Sequence, residues 1–202
     1  MQALLFEMKP RDGHEDHYFR HAAKLRPLLM KQEGLIFIER FKSMSRPGVI
    51  LSHSLWRDEA AIAKWRTDGE HHKSQAAGRH KHFEDYRIRI SHVLQHFKLG
   101  DQLKEWSSDG AYSDPAASAG RFMTIVRAKE KPVSGDGEVF ESVTEASSFL
   151  CVEDVASEAD GQARVRDAQD DAAVLSATLS RVSRDYGMYD RAEAPQYFEP
   201  VE

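Results

Sequence analysis

Trp65, His71 and His72 fall within eight residues at the end of WRDEAAIAKWRTDGEHH, Trp56 to His72. An indole offers a flat apolar wall for a ring to stack on. An imidazole titrates near neutrality and suits a general base, so either His71 or His72 can take a proton from a molecule held against Trp65. The two histidines are adjacent, so at most one points inward. Trp65 also fits a plain core role, because Ile62 and Trp65 are spaced i, i+3 and a helix buries such pairs in any case.

The remaining imidazoles are less specific. All ten histidines lie between His14 and His96. His14, His17 and His21 follow i, i+3, i+7, an arc that can hold a metal, yet no known motif sets a carboxylate beside them and no metal is expected. His53, His92 and His96 alternate with apolar residues and read as hydrogen-bonded interior groups. Arg87 and Arg89 alternate with Ile88 and Ile90, which suits solvent, a salt bridge, or an anchor for an anionic or phenolate ligand. Cys151 is the only cysteine, which excludes an intrachain disulfide and reads as a small buried strand residue.

The chain has 202 residues, 41% of them hydrophobic, enough for one large or two small folded units. No run of 18 apolar residues occurs, and MQALLFEMKPRDGHED reaches charge too early for a signal peptide, so a cytoplasmic, non-membrane protein is expected. Residues 1–100 carry 18 Lys+Arg against 12 Asp+Glu and residues 101–202 carry 10 against 21, so +6 faces −11. Neither half has the basic, aromatic-studded stripe of a nucleic-acid groove.

The elements that must position these groups alternate. QALLFEMKP (Gln2–Pro10) reads as a strand and HEDHYFRHAAKLRPLLMKQ as a helix that Pro27 should kink or divide. Leu35–Ser43 and Val49–Trp56 form a hairpin around MSRPG. Asp58 caps a helix that Gly69 ends, and a helical piece runs from His71 to Phe83. DYRIRISHVLQHF closes the half as a long strand. The order β-α-β-β-α-β is the α+β, ferredoxin-like arrangement.

Domain boundaries follow from composition: residues 1–106, a linker over 107–120, a second half over 121–190 and a tail over 191–202. The second half looks like a worn tandem duplication. At an offset of 99, Phe140 lies over Phe41, Ser142 over Ser43 and Leu150 over Leu51; toward the end of the half, at an offset of 89, Leu179-Ser180 lies over Ile90-Ser91. The copy lacks the first helix, has Arg164 at the place of Trp65 and keeps neither His71 nor His72. One chain is therefore expected to form an intrachain pseudo-dimer with its competent pocket in the first half, with association into a homodimer left open.

GLIFIERFKS, SLWRDEAAIAKW and EHHKSQAAGRHKHFEDYRIRI together resemble the antibiotic biosynthesis monooxygenase family over about Leu4 to Phe97. The resemblance implies the dimeric α/β-barrel type of fold, with a pocket between sheet and helices whose wall is the helix tryptophan, here Trp65. Quinone-forming members carry an asparagine one turn earlier, where this chain has Ala61, then a polar aromatic matched by His71 and an arginine matched by Arg87 or Arg79. Haem-degrading members carry an asparagine on strand one and a histidine ten residues after the tryptophan; this chain has none in ALLFEM and has Gln75 there. The expected function is a cofactor-independent monooxygenase acting with O₂ on a phenolic or polycyclic aromatic molecule, with Trp65, Phe6, Phe37 and Tyr86 stacking the ring. The alternative is a non-catalytic binding or assembly module; haem degradation fits less well.

Overall fold

The computed structural model describes residues 1–106, 121–132 and 137–195. The first half consists of β1 (Gln2–Pro10), α1 (Glu15–Leu29), β2 (Leu35–Ser43), β3 (Ile50–Trp56), α2 (Glu59–Arg66), α3 (Gly69–Ala77) and β4 (Phe83–Lys98). A π-helical turn, Gly78–His82, joins α3 to β4. After the short β5 (Lys104–Glu105) come β6 (Phe122–Ala128), β7 (Glu138–Ser142), β8 (Phe149–Val155), α4 (Glu158–Asp170) and β9 (Val174–Gly187). The expected linker 107–120 lies outside the described residues, as does 196–202 of the expected tail.

Two helix expectations need correction. Pro27 does not divide α1, because it falls in the last turn, and Met30 N–H still bonds Arg26 C=O at 2.9 Å. Gly69 does not end α2; it begins α3, whose cap is Asp68, accepting from Glu70 and His71 N–H at 3.1 Å each. Asp58 caps α2 as expected, accepting from Ala61 N–H at 2.8 Å. The two caps start two short helices with a sharp turn between them, and this brings His71 back over Trp65.

The strands form one sheet in the order β1-β3-β2-β7-β8-β6-β9-β4-β5, and β1 also pairs with β4, so the sheet closes on itself. The halves meet along two antiparallel seams, each carried onto itself when the two halves are interchanged. At β2–β7, Phe41 faces Ser142 and Ser43 faces Phe140, which the offset of 99 interchanges. At β4–β9, Ile90 faces Arg184 and Gln95 faces Leu179, related in the same way by an offset of 89.

One core fills the closed sheet and draws on both halves: Ala3, Leu5, Phe41, Leu51 and Val93 pack with Met123, Ile125, Phe140, Leu150 and Val182. There buried Arg89 pairs with buried Glu7 at 2.8 Å and the partly exposed Arg127 with buried Glu39 at 3.0 Å, so each buried charge is paired. Arg46–Glu138, Arg87–Asp185 and Arg89–Asp154 also bridge the halves with the cation on the basic half, while Arg184–Glu59 bridges them in the reverse sense. On the outer face of the second half α4 lies flat on the sheet. A Cβ at Gly161 would come 2.2 Å from Leu179 Cδ1, so helix and strand are in contact there. Among the described residues no helix is long and apolar enough to cross a membrane.

Candidate active site

Alternation along the strands sends odd-numbered residues of β1 into the closed sheet and turns Leu4 and Phe6 toward the helices. On β2 the helix-facing residues are Ile38 and Arg40; on β3 they are Ser52, Ser54 and Trp56. Helices α1, α2 and α3 roof this floor without filling it. The cavity left has a volume of about 200 Å³ and is walled by Tyr18, Leu25, Ile62, Trp65, His71 and Ile88, with Tyr186 closing one end from the second half. Phe6, Arg66, Gln75, Phe83, Ile88 and Tyr186 also line an outer chamber of about 300 Å³.

Trp65 and His71 are stacked, with ring centroids 4.1 Å apart and planes 14° from parallel. His71 Nδ1 lies 2.9 Å from the Trp65 carbonyl oxygen, which can only accept. The proton is therefore on Nδ1, and Nε2 keeps its lone pair. Burial pushes the imidazole down to about 4, against the smaller opposing pull of that carbonyl, so the ring is neutral at pH 7. Nearby, His21 Nε2 lies 2.6 Å from Ser74 Oγ, whose own proton goes to the Glu70 carbonyl at 2.9 Å, so His21 donates. Tyr18 Oη accepts from Arg40 Nε at 3.2 Å, and burial raises the phenol above its ordinary value, leaving it a donor at neutral pH.

The expected site residues divide into three groups. Trp65, Phe6 and His71 meet at the inner cavity, while His72, Tyr86 and Arg79 line the outer chamber together with Phe6. There Tyr86 Oη accepts from Arg79 Nη1 at 2.6 Å and from Arg191 Nη1 at 3.1 Å. Phe37 and Arg87 are brought to neither chamber. Phe37 pairs with Leu55 and shares its face, so it lies inside the closed sheet, 5.5 Å from the His53 ring and under the Arg127 guanidinium. Arg87 shares a face with Arg89 and is held bidentately by Asp185 at 2.5 and 2.9 Å.

Ala61, at the position of the asparagine in quinone-forming oxygenases, does not line the cavity. It packs under Gly34, where any Cβ would lie 2.7 Å from the Ala61 Cβ. The sequence reading missed Tyr18, His21, Arg40 and Tyr186. Arg40 had a signal, the alternation Ile38-Arg40 in LIFIERFKS; Tyr186 had none, because it enters from the other half. His14 and His82 approach to 2.9 Å between Nδ1 atoms and His17 stacks on His82 at 4.0 Å, but among the described residues no group of three or more His, Cys, Asp or Glu is arranged to hold a metal ion.

The chain is similar to several known proteins. The profile of the antibiotic biosynthesis monooxygenase family matches residues 1–77. A relative from Pyricularia oryzae (strain 70-15), named Jasmonate monooxygenase ABM, is 31% identical over 222 aligned positions, covering 100% of each chain. Among solved structures, an antibiotic biosynthesis monooxygenase is 13% identical over 45% of this chain and 95% of its own, with a TM-score of 0.40. A Fusobacterium nucleatum protein is 7% identical over 98% of this chain and 97% of its own, with a TM-score of 0.44. The profile match and the full-length fungal relative, taken with the fold, support a monooxygenase-type function and place the chain in the antibiotic biosynthesis monooxygenase family.

Proposed function

We propose that the protein is a monooxygenase whose substrate is a small, largely apolar ring compound that ionises to a phenolate or enolate in the inner cavity and reacts there with O₂. The observation that carries this reading is the His71 imidazole in the cavity wall, stacked on Trp65 and tethered through Nδ1, with an unprotonated Nε2. Burial, which makes His71 a weak base when the cavity is empty, also strengthens its attraction for the anion formed as it takes a proton. The substrate anion then supplies the electrons. It passes one to O₂, recombines to a carbon-bound hydroperoxide and loses water, so that a CH₂ and O₂ become C=O and H₂O with no external reductant.

The inner cavity suits one or two rings better than an extended polycycle, which would need the outer chamber as well. The name of the fungal relative supports extending the expected phenols to alicyclic keto acids. Within this reading the two halves act as a pseudo-dimer with one working site, and Tyr186 is the second half's contribution to its wall.

The test is oxygen uptake by the purified protein with a panel of monocyclic and bicyclic phenols and with jasmonate. Products are analysed by mass spectrometry under isotopically labelled O₂. The expected product gains one labelled oxygen for two hydrogens. Tight binding without oxygen uptake across the panel would make the protein a binding module instead.

A further inference from the structure

Arg40 is a cation on the floor of an otherwise mostly apolar cavity, and the carboxylates nearest to it along its strand are committed elsewhere. Glu39 turns into the closed sheet and pairs with Arg127 at 3.0 Å, and Lys42 is held by Glu15. Among the described residues Arg40 makes no ion pair, and its one side-chain hydrogen bond runs from Nε to Tyr18 Oη at 3.2 Å. Ser52, its cross-strand partner, lines the same cavity. Arg66 lines the same cavity from α2, and the arginines of the outer chamber and the seam differ from Arg40. Arg79 and Arg191 hold the Tyr86 hydroxyl, and Arg184 pairs with Glu59. A guanidinium beside apolar walls without a carboxylate is costly unless water or a ligand anion meets it. Its planar fork matches a carboxylate, and the Tyr18 hydroxyl, which accepts from Arg40, still has a proton to donate.

We propose that Arg40 and Tyr18 form an anion clamp that binds the carboxylate of an amphiphilic monocarboxylate substrate and so fixes which end of the molecule meets Trp65 and His71. This rests on the monooxygenase reading for what happens at the other end, but not for the binding itself. Arg40 lies on β2 and Tyr18 on α1, whereas Trp65 and His71 lie on α2 and α3, so the clamp and the reacting groups reach one cavity from different elements. Uncharged rings of the same shape enter the cavity but lack an anchor.

Binding of jasmonic acid, octanoate and 3-phenylpropanoate, each beside its methyl ester, is measured by quenching of tryptophan fluorescence in the full-length protein. The wild type is expected to prefer at least one acid to its ester by about tenfold or more, and Arg40→Met to abolish that preference while holding the ester within about threefold. Tyr18→Phe is expected to reduce the preference partially. A role for Arg40 in packing alone would weaken acid and ester equally. If no acid is preferred to its ester by the wild type, or if Arg40→Met keeps the preference with its thermal unfolding unchanged, the clamp is wrong. Preference that depends on Arg40 without oxygen uptake keeps the clamp and removes the monooxygenase reading. Oxygen uptake at equal rates with acid and ester does the reverse.

Discussion

Trp65 and His71 lie ring on ring, 4.1 Å between centroids, and the imidazole is tethered to the carbonyl of the tryptophan it covers. The indole wall and the imidazole that the proposed function uses as base are thus a single unit, built by the tight turn between two capped helices. Trp65 is also core, packed with Leu29, Trp56, Ile62 and Ile90. Trp65→Ala should therefore lose ligand and also about 3 kcal/mol of stability, whereas Trp65→Phe should keep most of both. Urea unfolding beside ligand titration checks this; full stability in the alanine variant would show that the indole is not core.

His71→Asn removes the Nε2 lone pair while keeping a donor for the Trp65 carbonyl. Oxygen-dependent turnover should fall by about a hundredfold or more, with ligand binding changed far less. Steady-state oxygen uptake separates the two effects, and an unchanged rate would move the base elsewhere.

Stability should fall as pH drops below the ordinary histidine value of 6.5. Burial lowers His71 to about 4 and His53 to about 3, and it lowers His21 and His82 as well, the latter also by repulsion from His17, His14 and His21. Each is held neutral in the fold, so protons bind the unfolded chain first; the contribution is complete above 6.5 and is lost as pH falls toward the folded values. For His71 alone the linkage amounts to roughly 3 kcal/mol. Urea midpoints measured between pH 7.5 and 4.5 should decline, and His53→Leu should flatten the decline if it folds. A flat profile in the wild type would contradict these shifts.

Gly34 has a φ of +92°, and a Cβ there would sit 2.7 Å from Ala61 Cβ. Gly34→Ala should cost more than about 2 kcal/mol and displace α2, the helix that carries Trp65. Ala61→Asn should also destabilise without restoring an oxygenase-like amide to the cavity. Thermal unfolding and ligand affinity test both; a stable Ala61→Asn variant with raised turnover would show that the cavity can recruit that side chain.

Residues 1–106 alone should not persist as a monomer. Without the second half, Leu5, Phe41, Leu51 and Val93 lose their cover, and β2 and β4 become open edges. Light scattering after size-exclusion chromatography should show a dimer or aggregate, and a stable monomer would mean the first half closes its own core.

Local pattern was enough to locate most elements and part of the site. Strand-like runs and turn residues marked β1, β2 and β3, alternation marked β4, the aspartate before EAAIAKWR marked the start of α2, and the helix tryptophan and the first of the following histidines both turned out to line the cavity. These properties depend on neighbours in the chain, so a single sequence carries them. The face on which Phe37 and Arg40 emerge was also written in the alternation, but only the pairing of β2 with β3 decided which face looks into the closed sheet and which toward the helices. Tyr186 became part of the wall because β9 pairs with β4, nearly a hundred residues away, and Arg87 left the site because the same pairing put Asp185 diagonally across from it, opposite Arg89. Side-chain type and local periodicity determined what chemistry was available; which groups share one cavity was decided by strand register across the seam between the halves, a relation that no local window of sequence contains.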